Sequence, residues 1–505
     1  MTSPSTDLSK TSTDSELDPK RWLALVVIAI AQLMVVLDAT IVNIALPDAA
    51  TALHISDANR QWMVTAYALP FGALLLLGGR IADYLGRKRI LMISLVGFAA
   101  ASALGGAATA GWMLFSARAL QGVFAAMLAP AALSLLTVTF RDPKERAKAF
   151  AVFGAIAGGG AAIGLLLGGV LTEYATWRWC LLVNIPIAAI GIFGAISVLK
   201  ESKHDERGTH YDVPGAIMAT LGLGLLVWGF TRAANPALGW GSWQTLGSLI
   251  IAAVLLVGFV IWESRSSEPL LPLRIVKDRN RAGAYLVGLL VGAGLFAIFL
   301  FLTYFLQIVQ HYSPIKAGLA FLPFSAGVIV GAGVGSQLVL KIGPKLVIPI
   351  GLVMGVAGLL WLSRLTLAST YLGTILPAII VISIGMGFIF MSTTNVALVG
   401  ISKDDSGVAS AMVNTTQQVG GSLGTALLST FALTATTNYL TSHGSELASA
   451  TSQQAAGIIQ SAGAVHGYAV AFVWSAGLFA AAAIASILLV NAGKNEVPSE
   501  GAMMV

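Results

Sequence analysis

Charge is scarce in this chain. Only 10% of its 505 residues are Asp, Glu, Lys or Arg, against roughly a quarter in soluble domains. A water-facing surface cannot be built over that length from so few charges, so lipid is the solvent for most of it. Cysteine is nearly absent. A lone Cys180 excludes an internal disulfide and a cysteine zinc cluster. There is no Gly-x-x-x-x-Gly-Lys-Ser/Thr phosphate loop, which excludes ATP hydrolysis by that device. His-Glu-x-x-His and a usable Gly-x-Ser-x-Gly element are missing as well. The six histidines, His54, His204, His210, His311, His443 and His466, fall in loops or at helix ends. No metal, cofactor or ATP is therefore expected. A membrane-embedded enzyme would need a cluster of catalytic groups at one depth, and the chain offers only an Asp and an Arg.

What is present is apolar. Hydrophobic residues make up 56% and the mean hydropathy is +0.83. The 55 glycines follow no collagen-like period and fit close helix approach in a membrane bundle. The net charge of +6 does not point to nucleic acid, because the basic residues sit in short loops between apolar segments.

Fourteen segments are long enough to span a bilayer, at about 20 residues each. They are 22–45, 61–81, 90–108, 112–139, 147–171, 179–199, 213–232, 243–263, 282–309, 313–340, 345–363, 371–399, 406–433 and 465–490. Residues 1–19, rich in Ser, Thr and Asp, read as a disordered tail. The first apolar segment is too long for a signal-peptide core and lacks a cleavage site, so it stays as a span. Of the 29 Lys and Arg, 23 fall in loops on the side of the N-terminus and five on the other. The positive-inside rule then puts both termini in the cytoplasm of a multi-pass protein of the inner or plasma membrane. The hydrophilic stretch 200–212 and the charged loop 264–281 bracket two extra helices. The expected fold is all-α: a six-helix bundle at 20–199, a linker with two spans at 200–281, a second six-helix bundle at 282–490, and a tail at 491–505. The connection 434–464, rich in Ser, Thr and Ala, reads as the longest loop on the far side.

Asp38 lies inside the first helix. A carboxylate at bilayer depth costs about 2.5–3.5 kcal/mol on insertion scales, so such acids mark function by default. Nine residues separate it from Pro47, about 13 Å of helix. It reads as a protonatable or cation-attracting group facing a water-filled cavity, against a fixed ion pair as the plainer alternative. Arg118, seven residues from Gly111, lies about 10 Å below the same face. A change in their separation would switch the protonation of the acid, and a static pair is the alternative. The second loop, Gly79-Arg80-Ile81-Ala82-Asp83-Tyr84-Leu85-Gly86-Arg87-Lys88-Arg89, has glycines for a tight turn. Its Asp83 is placed to cap the next helix or to pair with the basic cluster. Gly79, Asp83, Gly86, Arg87 and Lys88 form a conformational latch on this reading. In the fifth helix Gly154, Gly158, Gly160, Gly164, Gly168 and Gly169 form a smooth face for helix packing. Asn414 and Gln418 share a helical face. With Gln121, Asn395 and Gln417 they line a cavity or bond neighbouring helices. Phe296, Phe299, Tyr304 and Phe305 read as packing.

These motifs resemble the major facilitator superfamily, in particular its fourteen-helix drug:proton antiporters, over roughly residues 20–490. Gly79 to Arg89 resembles the superfamily's second-loop signature, and Leu37-Asp38-Ala39-Thr40-Ile41-Val42-Asn43-Ile44-Ala45-Leu46-Pro47 the first-helix signature of the fourteen-helix branch. Arg118-Ala119-Leu120-Gln121-Gly122 is similar to the fourth-helix arginine motif associated with proton transfer. Trp177-Arg178-Trp179 and Asn184-Ile185-Pro186 look like the same branch. Two departures stand out. Ala161 and Leu165 occupy places where the fifth-helix motif usually has proline. The second-half copy of the loop motif, Ser336 to Lys345, has Leu340 where the acid would be. The resemblance implies alternating access, with Asp38 and Arg118 coupling protons to export of neutral or monocationic amphipathic molecules. Export of one self-made metabolite, or solute import on the same fold, are the alternatives.

Overall fold

The computed structural model describes residues 19–140, 142–201, 212–233, 238–266, 269–401, 406–448 and 452–493. The tail 1–18, most of 200–212 and the end of the 491–505 tail lie outside these, as do the surroundings of Gly158. Among the described residues the secondary structure is helical, and fourteen helices are long and apolar enough to cross a membrane. They are α1 Arg21–Ala52, α2 Asp57–Leu85, α3 Arg87–Gly106, α4 Gly111–Thr139, α5 Pro143–Tyr174, α6 Trp179–Val198 and α7 Val213–Ala233. Then follow α8 Trp243–Arg265, α9 Arg279–Val309, α10 Pro314–Ile342, α11 Pro344–Leu362, α12 Tyr371–Leu398, α13 Val408–Ser442 and α14 Gln453–Leu489. The start of α1 and the end of α14 lie at one face, the terminal face, beside the starts of α5 and α9; the other is the distal face.

Helix starts follow local chemistry. Asp142 accepts from Glu145 N at 2.9 Å, Asp278 from Arg281 N at 3.0 Å and Ser313 from Lys316 N at 3.4 Å. Each satisfies an amide that the first turn leaves without a partner. Pro143 and Pro314 stand in the first turn, where a missing N–H loses nothing.

Helices α1 to α6 pack mainly among themselves, and so do α9 to α14. The linking helices α7 and α8 pair with each other, and α7 rests on both α2 and α13. Two polar contacts pin it: Gln61 Nε2 donates to Thr231 Oγ1 at 3.0 Å, and Thr430 Oγ1 to the Phe230 carbonyl at 2.9 Å. Ile250, Ile251, Val254 and Val257 on α8 are exposed, which suits a lipid-facing helix.

Two expectations need correction. The first helix does not stop near Pro47 but runs through it to Ala52. The 434–464 stretch is largely helix: α13 continues to Ser442 and α14 begins at Gln453. Hydropathy marks where lipid ends, whereas an Ala-rich helix can continue into water. Small residues let the extended ends pair, since a Cβ on Gly463 would stand 3.0 Å from the Leu440 side chain.

Candidate functional site

Five helices converge on Asp38. It accepts from Arg118 Nη1 at 2.5 Å, Gln121 Nε2 at 2.9 Å and Asn184 Nδ2 at 2.8 Å. Arg118 and Gln121 sit one turn apart on α4, so one helix supplies the cation and an amide together. Arg118 also donates to Gln121 Oε1 at 2.9 Å and to the Met63 carbonyl of α2 at 3.1 Å. Its guanidinium lies 4.4 Å over the Tyr67 ring. Gln121 completes its bonding with Ser102 of α3 at 2.7 Å, and α6 contributes Asn184. Asp38 and Gln121 are 0% exposed, and Arg118 is 1%. Such a pair survives in a dry interior because each charge has further hydrogen bonds.

The cluster refines three sequence expectations. Asp38 and Arg118, 80 residues apart, are brought into direct contact. Asp38 faces no water-filled chamber in this conformation; protein encloses it. Gln121 belongs to the ion-pair network and does not line a cavity. Asn184, Ser102, Tyr67 and the Met63 carbonyl were not singled out from sequence as partners. The available signal for Asn184 was a polar side chain within the apolar α6.

The second-loop residues assemble at the terminal face. Gly86 has φ +101°, a left-handed conformation that suits glycine. Asp83 pairs with Arg87 at 3.0 Å and does not cap α3. Glu201, absent from the sequence reading, does so from beyond α6, accepting from the Lys88 and Arg89 amides at 3.1 Å each. Lys88 Nζ donates to the Leu199 carbonyl at 2.6 Å. Gly79 packs loosely beside Pro130 of α4, and Arg80 donates to the Pro269 carbonyl in the linker.

The glycines of α5 divide. A Cβ on Gly160, Gly164 or Gly168 would press on Val36, Thr40 or Ile41 of α1, whereas one on Gly169 would meet Ile315 of α10. Gly154 meets nothing within 4 Å, so it is not a packing residue in this conformation. The polar residues of the second half do not gather. Asn395 is buried on α12 and donates to Met391 Sδ; Asn414 is exposed; Gln417 lies against Gly288 and Gly292; Gln418 sits against Gly72 of α2. A distal cleft between α2, α9, α13 and α14 is lined instead by Arg60, Gln61, Tyr304, Ser429 and Tyr468. Arg60 stands 4.8 Å over the Tyr304 ring, joining the two halves.

The family model of the Major Facilitator Superfamily matches residues 28–425. This chain belongs to that superfamily. As a major facilitator protein it is a multi-pass membrane transporter of small molecules and not an enzyme. It is 44% identical to the puromycin resistance protein pur8 of Streptomyces alboniger, over 97% of this chain and 95% of that one. It is 38% identical to the cephamycin export protein CmcT of Amycolatopsis lactamdurans, over 84% and 86%. The tetracenomycin C resistance and export protein of Streptomyces glaucescens is 31% identical, over 82% and 76%. In architecture the chain matches the inward-facing, unoccupied structure of a bacterial homolog of the human lysosomal transporter Spinster. The TM-score is 0.66 at 16% identity, covering 96% of this chain and 99% of that one.

Proposed function

We propose that this major facilitator protein exports lipophilic neutral or monocationic drugs or antibiotics across the plasma membrane in exchange for protons, by alternating access. Its terminal face is the cytoplasmic one on this reading, which the distribution of Lys and Arg supports. The observation that carries the proposal is the enclosed Asp38–Arg118 pair with Gln121 and Asn184. It stands in a chain whose relatives are named for antibiotic resistance and export. A charge network this deep is retained where it has work to do.

The mechanism follows from the geometry. Asp38 is fully buried and accepts from three donors, so a proton reaches it only when the helices carrying Arg118 and Asn184 shift. Protonation removes the charge that Arg118 pairs with and frees the guanidinium. That makes the cluster a two-state element biased by one proton. Polar contacts between the halves sit at the distal end. Gln307 Nε2 donates to the Ile44 carbonyl at 2.9 Å, Ile315 N to Glu173 Oε2 at 3.0 Å, and Arg60 stacks on Tyr304. Their position supports a state closed on the distal side, with release requiring them to part. Gly79 to Lys88 act as the cytoplasmic latch, and the α5 glycines as a face along which α1 slides. The deep acid is already balanced by Arg118, which favours neutral or singly charged cargo over dications.

The test is transport in proteoliposomes under an imposed proton gradient, with puromycin and a panel of amphipathic dyes. Gradient-driven movement in wild type and its loss in Asp38→Asn are expected. Movement that ignores the gradient refutes proton coupling. Because pur8 is named for a single antibiotic, movement of puromycin alone would favour a dedicated exporter.

A further inference from the structure

A pair of buried acids lies apart from Asp38, at the terminal-face end of the linking helices. Asp212 precedes α7 and is 4% exposed; Glu263 is near the end of α8 and is 3% exposed. Asp212 Oδ1 accepts from Gly215 N at 2.8 Å and from Trp262 Nε1 at 2.6 Å, and its Oδ2 from Leu270 N at 3.4 Å. Glu263 Oε2 accepts from Leu271 N at 2.9 Å, while its Oε1 has no donor among the described residues. The two carboxyls crowd one spot: a Cβ on Gly215 would stand 2.6 Å from Asp212 Oδ2 and 2.8 Å from Glu263 Oε1.

Two ionised carboxylates side by side in a buried pocket repel each other, and neither has a hydrogen to give the other. With three donors on Asp212 and one on Glu263, whose Oε1 is left without a partner, a single proton held on Glu263 satisfies both. Burial pushes Asp212 up, but its donors outweigh that and hold its carboxyl below the usual range. Asp212 is thus the ionised partner, and Glu263 carries the proton. Among the described residues, the charged group facing the pair from a packed neighbour is Arg80 of α2. Arg80 donates to the Pro269 carbonyl, in the same segment as Leu270 and Leu271, whose amides hold the two acids.

We propose that Asp212 and Glu263 form a proton-binding site separate from Asp38, whose occupancy sets whether the linking helices grip α2 through Arg80. With the proton in place, the acids tie the start of α7, the end of α8 and the Pro269–Leu271 segment into one unit that Arg80 reaches. Without it, two adjacent buried carboxylates repel each other. The unit opens and Arg80 turns to the bare acids. Arg80 belongs to the stretch from Gly79 to Arg89, so the site reports the pH of the terminal face to the latch. It does not depend on whether Asp38 couples protons.

The experiment is infrared spectroscopy of the full-length protein in lipid nanodiscs. At neutral pH, a protonated-carboxyl stretch that shifts in D2O is expected in wild type and in Asp38→Asn, fading as pH rises. It is expected to vanish in Glu263→Gln, whose amide can still donate to Asp212. Absence of the band in wild type, or its persistence in Glu263→Gln, overturns the proposal. Thermal unfolding gives a second readout: wild type loses stability as pH rises and Glu263→Gln loses much less. Identical pH profiles would also overturn it. Should Glu263→Gln fail to fold, titration of the band in wild type and Asp38→Asn still decides.

Discussion

Gly86 and Gly343 occupy equivalent places in the two halves, one between α2 and α3, the other between α10 and α11. Both have positive φ, +101° and +83°. A lysine two residues later reaches the end of its own half's last helix. Lys88 Nζ donates to the Leu199 carbonyl at 2.6 Å, and Lys345 Nζ to Asn491 Oδ1 at 3.2 Å. The chemistry around this shared turn differs. In the first half Asp83 pairs with Arg87, and Glu201 holds the α3 amides. In the second, Leu340 replaces the acid and Pro344 starts α11 with no N–H to satisfy. Deleting a donor makes a fixed joint, whereas charged partners make one that can be broken and remade. The interiors repeat the contrast. The first half buries an ion pair, while the second buries neutral groups such as Thr303, Ser392, Thr393 and Asn395.

The largest test of this asymmetry is Arg118→Ala. It strands Asp38 without its cation and is expected to destabilise the protein by about 3–5 kcal/mol, measured by thermal unfolding in micelles. Asn395→Ala, in the second half, is expected to change stability by about 1 kcal/mol. Equal effects would break the comparison. Pairing Arg118→Gln with Asp38→Asn should recover most of the stability without recovering transport.

Next come the turns. An alanine in a left-handed conformation costs about 1–2 kcal/mol, so Gly86→Ala and Gly343→Ala both destabilise. Gly86→Ala is expected to be the worse, because its Cβ would stand 2.7 Å from Glu201 Oε1 and displace the acid. Glu201→Gln should cost about 1 kcal/mol as a lost helix-start contact and weaken transport, while Lys345→Ala changes stability within about 0.5 kcal/mol.

The smallest effect concerns Arg21 and Glu145, 2.6 Å apart at the terminal face. The Arg21 hydrogen bond holds Glu145 below its usual range. A carboxyl depressed in the folded state stabilises above its unfolded value and loses that support as pH falls through the folded one. Arg21→Gln is therefore expected to lower stability slightly at neutral pH, with variant and wild type converging as pH falls below the ordinary Glu range, so that the acid side of the profile flattens. A pH titration of unfolding checks this.

Much of the candidate site was legible because burial of charge is costly in lipid. Asp38 and Arg118 stood out as deep charges, and equal depth from Pro47 and Gly111 placed them together. Asn184 stood out only as part of a family motif and Glu201 not at all, because a lone amide in an apolar helix, or an acid after a span, has many uses. Their partners lie 146 and 113 residues away in sequence. The α5 glycines show the same limit. Their spacing gave a smooth stripe, but only the neighbouring helices decided that Gly164 meets α1, Gly169 meets α10 and Gly154 meets nothing.

Sequence by itself determined the number of spans, the helical class, the bias of charge to one face and the presence of a deep acid and base. Each follows from transfer between water and lipid, which acts on a segment whatever its neighbours are. Tertiary structure alone decided that Asp38 is sealed by three donors, that Gln121 serves it, that Glu201 caps α3, and that Asp212 meets Glu263. Hydrogen bonds depend on distance and direction between groups far apart in the chain, and only the packing of helices sets those.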